Sequence, residues 1–266
     1  MSLKQRIKYV WRIIGKLYSF FNFGLGSVVI ATFIFPTIFT ISFGSPEKFK
    51  RLGRIVVNKA FTLFVKQMQW ARLLTFEVKN KERLQGLQSK VIIANHPSLL
   101  DVVMLMSIIP NADCLIKASL GGKNIMRWVV NRLYIPNSLD FEDIIRDSGA
   151  SMDKGNCFII FPEGTRTRPG CPFSLKKGAA RIALATKRDV IPIYFGGNEK
   201  IGLRKYDKML SFHPTQKYQY KLEVLDPISI VKYKDMQQSK AATLLTEEMT
   251  ECFSKAKRAE KEREHT

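Results

Sequence analysis

The hydrophobic pattern changes character near residue 73. Before it, from Leu17 to Pro46, 30 consecutive residues carry no charge and include Phe20, Phe21, Phe23, Phe33, Phe35, Phe39 and Phe43. A bilayer crossing needs about 20 mainly apolar residues, so this run suffices for one crossing and not for two. Asn22, Gly24, Gly26 and Pro36 interrupt it, which puts a broken helix or a shallow re-entrant hairpin beside a straight span. Basic residues stand on both sides, Lys4 to Lys16 before and Lys48 to Lys59 after, so charge gives no clean orientation and like flanks favour a hairpin. Two other readings are a core helix of a soluble protein and a signal peptide. A signal peptide has a shorter apolar region, of about 7–15 residues, with a small-residue cleavage site. Residues 51–76 then mix Ile55, Phe61, Phe64, Met68 and Trp70 with Lys59, Lys66 and Arg72 at a loosely helical period. Such a basic amphipathic helix suits a headgroup layer or the surface of the next domain.

After residue 73, short apolar runs alternate with mixed helical stretches. Residues 73–80, 91–94, 114–118, 157–161 and 190–196 read as strands, and the alternation in KYQYKLEVLDPI predicts another. Between them NHPSLLDVVMLMSII, NIMRWVVNRL, LDFEDIIRDSGASMDK and LKKGAARIALATKR read as helices, and a last helix runs into a charged tail. This order predicts an α/β fold with a largely parallel central sheet flanked by helices. The expected organisation is a membrane-associated helical region at 1–72, an α/β domain at 73–236 and a charged helix or tail at 237–266.

Charge sharpens the picture. The chain of 266 residues carries a formal net charge of +20, and residues 1–90 hold 16 of its 43 basic side chains against only Glu47, Glu77 and Glu82. A basic excess implies an acidic neighbour. No nucleic-acid recognition motif accompanies it, so an anionic phospholipid membrane is the expected partner and nucleic acid is not. Four scattered cysteines and three histidines offer neither a disulfide framework nor a metal-ligand spacing, so no metal is expected.

Two predicted strand ends carry chemistry. At the first, residues 91–94 deliver Asn95-His96-Pro97-Ser98-Leu99-Leu100-Asp101 to the edge where open α/β sheets bind ligands. His96 at the start of a helix favours the neutral ring that a general base needs. Asp101, about one turn inside, would accept from one ring nitrogen if His96 lies just outside the helix and Pro97 in its first turn. Ser98 is the local nucleophile candidate, but no nucleophile elbow surrounds it, which favours direct attack by a substrate hydroxyl. A capping or packing role for a lone histidine is the plain alternative. At the second edge, Phe161-Pro162-Glu163-Gly164-Thr165-Arg166-Thr167-Arg168-Pro169-Gly170 offers guanidinium groups and a glycine that admits close approach, which suits an anion. Lys176 and Lys177 extend the positive rim.

NHPSLLD and FPEGTRTRPG, followed by FSLKKGA and VIPI, resemble in their order the motifs of the glycerolipid acyltransferases, in particular the 1-acylglycerol-3-phosphate acyltransferases. The resemblance covers roughly residues 75–200. It implies transfer of a fatty acyl group from an acyl-CoA or acyl carrier protein thioester to a lysophospholipid hydroxyl, with no tightly bound cofactor and no acyl-enzyme. It implies His96 as base with Asp101 as its partner, and substrate contacts from Glu163, Gly164, Arg166 and Pro192, to which the residue chemistry of the same turn and rim adds Thr165 and Lys177. It further implies attachment at the cytoplasmic face of a membrane, a bacterial inner membrane by expectation. The family's intermediate block, a strand ending in an arginine, is not matched at Asn131–Ser138, where Arg132 is the substitute on offer. Another lipid alcohol as acceptor, and a non-catalytic lipid-binding protein, are the alternatives.

Overall fold

A computed structural model describes residues 2–116, 125–137, 140–208 and 210–265. The expected strand end at Lys117–Ala118, and Asn124, Ser138 and Leu139, lie outside the described residues.

The uncharged run forms the greater part of a helical hairpin's first arm. Helix α1 (Leu3–Val29) opens on a capping box, with Ser2 Oγ accepting from the Gln5 amide and the Gln5 side chain accepting from the Ser2 amide. It passes through Gly24 and Gly26 unbroken, continues as a π-helical turn (Ile30–Ile34) and then as α2 (Phe35–Ile41). Proline inside a helix lacks one donor and crowds the preceding turn, and the wider turn just before Pro36 accommodates both effects. The break comes later than the glycines suggest. Phe43 and Gly44 adopt φ of 49° and 75°, and Ser45 then caps α3 (Pro46–Trp70), whose first residue is a proline with no amide to satisfy. Leu3–Ile41 is long and apolar enough to cross a membrane.

Helix α3 turns back onto the rest of the chain. Its Phe64, Val65 and Met68 enter the core, while Ile55, Leu63 and Trp70 are exposed. Arg54 makes a buried two-pronged contact with Asp113, at 2.9 and 2.8 Å, and Ser151 donates to the same carboxylate.

Among the described residues, seven strands form one sheet: β1 (Leu74–Lys79), β2 (Val91–Ala94), β3 (Ala112–Ile116), β4 (Ile135–Pro136), β5 (Cys157–Ile160), β6 (Val190–Gly196) and β7 (Tyr218–Val224), in the order β1-β7-β6-β2-β5-β3-β4. All neighbours are parallel except β6 and β7. The continuous apolar runs of β2, β5 and β6 are buried along their whole length, as strands covered on both faces must be. Helices α4 (Asp101–Ile108), α5 (Ile125–Leu133), α6 (Phe141–Asp153), α7 (Gly178–Thr186) and α8 (Gln238–His265) complete the fold. One face of the sheet packs Ile92, Ile191 and Phe195 with Met104, Leu105 and Met68. The other packs Ile93, Phe158 and Tyr194 with Ile182 of α7 and Leu245, Met249 and Phe253 of α8.

Two helix starts differ from the sequence pattern. Helix α4 begins at Asp101, so Pro97 lies in the preceding turn and not in the first helical turn. The cause is local: the Asp101 carboxylate accepts from the Ser98 amide at 2.7 Å, which holds residues 96–100 as a loop. Helix α7 begins at Gly178, because the Lys176 amide is bonded to the Pro162 carbonyl.

Candidate active site

Strands β2 and β5 are adjacent and parallel, with Ile93 opposite Ile160, so the loops leaving their carboxyl ends meet. His96 stacks on Phe161, the ring centres 4.2 Å apart. The His96 amide donates to Thr167 Oγ1 (2.9 Å) and Glu163 Oε1 (3.2 Å), and the Thr167 amide donates back to the His96 carbonyl (2.7 Å). Two motifs more than 60 residues apart are thereby one site.

Asp101 is fully buried and lies 2.8 Å from His96 Nδ1, whose side chain stays 22% exposed. The same carboxylate accepts from the Ser98 amide and the Ser98 hydroxyl. An ionised carboxylate only accepts, so Nδ1 carries the ring proton and Nε2 is left as the basic nitrogen. The Ser98 hydroxyl gives its proton to Asp101 and accepts from the Leu100 amide (3.1 Å) and the Tyr220 hydroxyl (2.7 Å). Buried and fully engaged, Ser98 braces the pair and is not placed as a nucleophile.

Glu163 points inward. It holds the His96 and Thr167 loops together, and its partial burial raises its carboxyl above the usual carboxylate range despite those hydrogen bonds. Gly164 has φ of 67°, a left-handed backbone that favours glycine, and the end of the Lys176 side chain lies over it. Thr165 is exposed. Arg166 is half-buried and spends one Nη1 proton on the Leu203 carbonyl (3.1 Å), which also accepts from the Leu99 amide (3.0 Å).

The other two expected contacts are not brought to this cluster. Lys177 reaches Thr243 on α8 (2.8 Å), and it is Lys176 that lies over the Glu163–Arg166 turn. Pro192 sits inside β6 opposite Ile93, three residues below His96 in register. Its carbonyl accepts from Leu225 where β7 ends, so the missing amide falls where the ladder is already interrupted. Arg132 stacks on Trp128 (4.4 Å) and Phe39 (5.9 Å), against the hairpin.

Three further residues belong to the site. Asn95 exchanges two hydrogen bonds with the Phe195 backbone, at 2.7 and 3.0 Å, and so ties the ends of β2 and β6. Tyr220 comes from β7, and Lys200, buried beside it, lies 4.8 Å from its ring centre and donates to the Gly196 and Asn198 carbonyls. Burial lowers the Lys200 ammonium to about 8, against the opposing pull of Asp101 and Glu260. Asn95 stood in the sequence motif; Tyr220 had no signal beyond strand alternation. A cleft of about 260 Å³ opens alongside, lined in part by Asn95, Pro97, Thr167, Arg168 and Lys200. Among the described residues, no three His, Cys, Asp or Glu side chains converge as a metal site would require.

A sequence-family model, Acyltransferase, matches residues 75–196, which contain both meeting loops. Over these residues the chain is similar to the acyltransferase family. It is 30% identical over 151 residues to human 1-acyl-sn-glycerol-3-phosphate acyltransferase beta, covering 54% of each chain. It is also 30% identical over 153 residues to a putative 1-acyl-sn-glycerol-3-phosphate acyltransferase of Caenorhabditis elegans, covering 53% of this chain and 58% of that one. The match thus spans little more than half the length of these curated relatives. In fold, the chain is similar to the 1-acyl-sn-glycerophosphate acyltransferase PlsC from Thermotoga maritima, with a TM-score of 0.64 and 19% identity over 92% of this chain and 97% of that one.

Proposed function

We propose that this protein transfers a fatty acyl group from an acyl thioester, carried by coenzyme A or acyl carrier protein, to the free hydroxyl of a lysophospholipid, with 1-acylglycerol-3-phosphate as the first acceptor to test. The observation that carries the proposal is the His96–Asp101 pair at the end of β2, joined through Glu163 and Thr167 to the turn bearing Arg166. His96 Nε2 takes the proton of the acceptor hydroxyl as its oxygen attacks the thioester carbonyl. The tetrahedral intermediate collapses, the C–S bond breaks, and the proton on the imidazolium passes to the departing thiolate. Asp101 holds the ring in the required tautomer and stabilises the imidazolium. Arg166 takes the acceptor's anionic group with the guanidinium protons that Leu203 leaves unused.

In this reading residues 73–236 are the catalytic unit, 1–72 its membrane-facing region and 237–266 a helix laid on the sheet. Glu163, Gly164 and Thr165 shape the turn around the acceptor, Lys177 adds to the outer positive rim, and Pro192 belongs to the support of the acyl channel. The protein works at the cytoplasmic face of an anionic membrane, a bacterial inner membrane in the first instance. Because the stretch Asn131–Ser138 has no arginine at its strand end, other lysophospholipids belong in the acceptor panel.

Purified protein incubated with a panel of lysolipids and both donor types, with products identified by mass, tests the proposal. His96→Ala is expected to lower turnover by roughly 100- to 10,000-fold while vesicle association persists. Near-original rates in that variant would refute His96 as the base.

A further inference from the structure

The loop joining β6 to β7, residues 197–217, is gripped from two sides. On one side, α1 supplies two cations. Lys16, only 1% exposed, donates to the carbonyls of Gly202 (2.9 Å) and Ser211 (3.0 Å). One turn earlier, Arg12 donates to the carbonyls of Pro214 (3.3 Å) and Thr215 (2.8 Å), and its guanidinium lies 5.9 Å from the Phe212 ring centre. On the other side, the loop touches both halves of the site. The Leu203 carbonyl accepts from Leu99, within the His96–Asp101 turn, and from Arg166. Lys200 rests on Tyr220, whose hydroxyl holds Ser98 and through it Asp101.

The join is tight. Gly202 has φ of 85°, and a Cβ there would fall 1.9 Å from the Ser211 carbonyl oxygen and 2.6 Å from Lys16 Nζ. Burying an ammonium is costly unless its protons are satisfied, and lipid attachment alone gives no reason for one on the enclosed face of an apolar helix. A leucine or methionine at position 16 would serve an anchor better.

We infer that Lys16 is a positioning residue of the active site: by clamping the Gly202 and Ser211 carbonyls it fixes the Leu203 carbonyl, which sets the distance between the His96 turn and Arg166. The N-terminal helix then has a second task besides attachment. The kinetic half of this inference rests on the acyl-transfer reading; the structural half does not.

The test uses full-length protein on vesicles of phosphatidylethanolamine and phosphatidylglycerol and three variants. Lys16→Met is expected to sediment with the vesicles like the original protein. Its amide hydrogen exchange should rise in segments 96–101 and 163–168. Its kcat/KM should fall roughly 10- to 100-fold, since misplacing reacting groups by about 1 Å costs that much. The fall should be the same on a bilayer acceptor and on a short-chain acceptor dissolved in water. Gly202→Ala should reproduce this without altering the charge of α1. Lys8→Met, which removes an exposed cation from the same helix, should change neither readout. If Lys16→Met lacks a cooperative melting transition, Arg12→Gln takes its place in the exchange measurement. Unchanged exchange in both segments overturns the inference whether or not any transfer is detected, and so does a loss confined to the bilayer acceptor. Raised exchange in Lys16→Met, with no transfer by the original protein on any acceptor, sinks the acyl-transfer reading and leaves the clamp standing.

Discussion

Asp101 decides what His96 can do. With both carboxylate oxygens occupied by Ser98 and His96, the ring has one tautomer available, and the exposed nitrogen is the basic one. The pairing of His96 with Asp101 was legible in the sequence because both belong to one turn. The roles of Ser98, Tyr220 and Lys200 were not, because their contacts cross 122 residues in one case and depend on a loop with no periodic pattern. The chemistry of Arg166 is the ground for proposing it as an anion ligand, and that proposal predicts the behaviour of a conservative variant. Arg166→Lys keeps the charge and loses the fork, so acceptor kcat/KM should fall roughly 10- to 100-fold, given about 1.5–3 kcal/mol for a hydrogen bond to a charged group, while donor KM stays put. Steady-state kinetics with each substrate varied in turn decides this; equal changes in both KM values would count against it. Glu163 carries a pH signature of its inward position. Burial raises its carboxyl in the folded protein, so between the ordinary carboxylate range and the raised value the native state binds more protons than the unfolded chain. Stability therefore declines as pH rises through that window. In Glu163→Gln the side-chain amide cannot ionise, yet its oxygen still accepts the two hydrogen bonds. The melting temperature of this variant minus that of the original protein should therefore grow as pH rises from about 4 toward neutrality and then level off. Melting curves of the two proteins in one detergent across that range check the sign, and a shrinking difference would mean that Glu163 is not desolvated in solution.

At the scale of elements, the strands were the most readable part of the chain. β2, β5 and β6 are short unbroken apolar runs, and burial on both sheet faces is the reason they look that way. Helix starts were less readable. α4 loses its expected first turn to the Asp101 carboxylate, a side-chain contact that hydrophobic periodicity does not record. The position of the chain reversal was not legible for a related reason: Gly24 and Gly26 look like breaks, but nothing prevents a helix from passing through them, whereas Phe43 and Gly44 adopt the left-handed backbone that reverses the chain. Helix α3 is joined to β3 by Arg54 and Asp113, both buried. Arg54→Met strands the carboxylate and should cost about 3–5 kcal/mol, whereas Arg54→Met with Asp113→Leu should recover most of the loss. Denaturation of the two variants in one detergent measures the difference. A double variant no more stable than the single one would mean that packing around the pair, and not the stranded charge, sets the cost.

For the whole molecule, the question is what holds it to a membrane. Among the described residues, the exposed large apolar side chains are concentrated on residues 3–70, with Leu99, Tyr206, Leu210, Val231 and Met236 as the others. On α1 they recur as Leu3, Ile7, Val10, Ile14, Leu17, Phe21, Leu25 and Val28, one strip along a helix whose other side packs Tyr9, Ile13, Phe20 and Phe23 against the core. Deleting the hairpin would therefore open the core as well as remove the strip, so substitutions on the strip are the cleaner test. Basic side chains attract the protein to anionic lipid, but at 1 M salt the screening length is only about 3 Å and that attraction fades. Apolar contact with the acyl chains does not fade with salt. Sedimentation with anionic vesicles should therefore retain the original protein at both low and high salt. A variant with Leu17, Phe21 and Leu25 changed to asparagine should bind at low salt and wash off at high salt, because each buried side chain of this size contributes up to about 1.5–3 kcal/mol. Complete release of the original protein by salt would assign its attachment to charge alone, and the exposed strip would then need another partner.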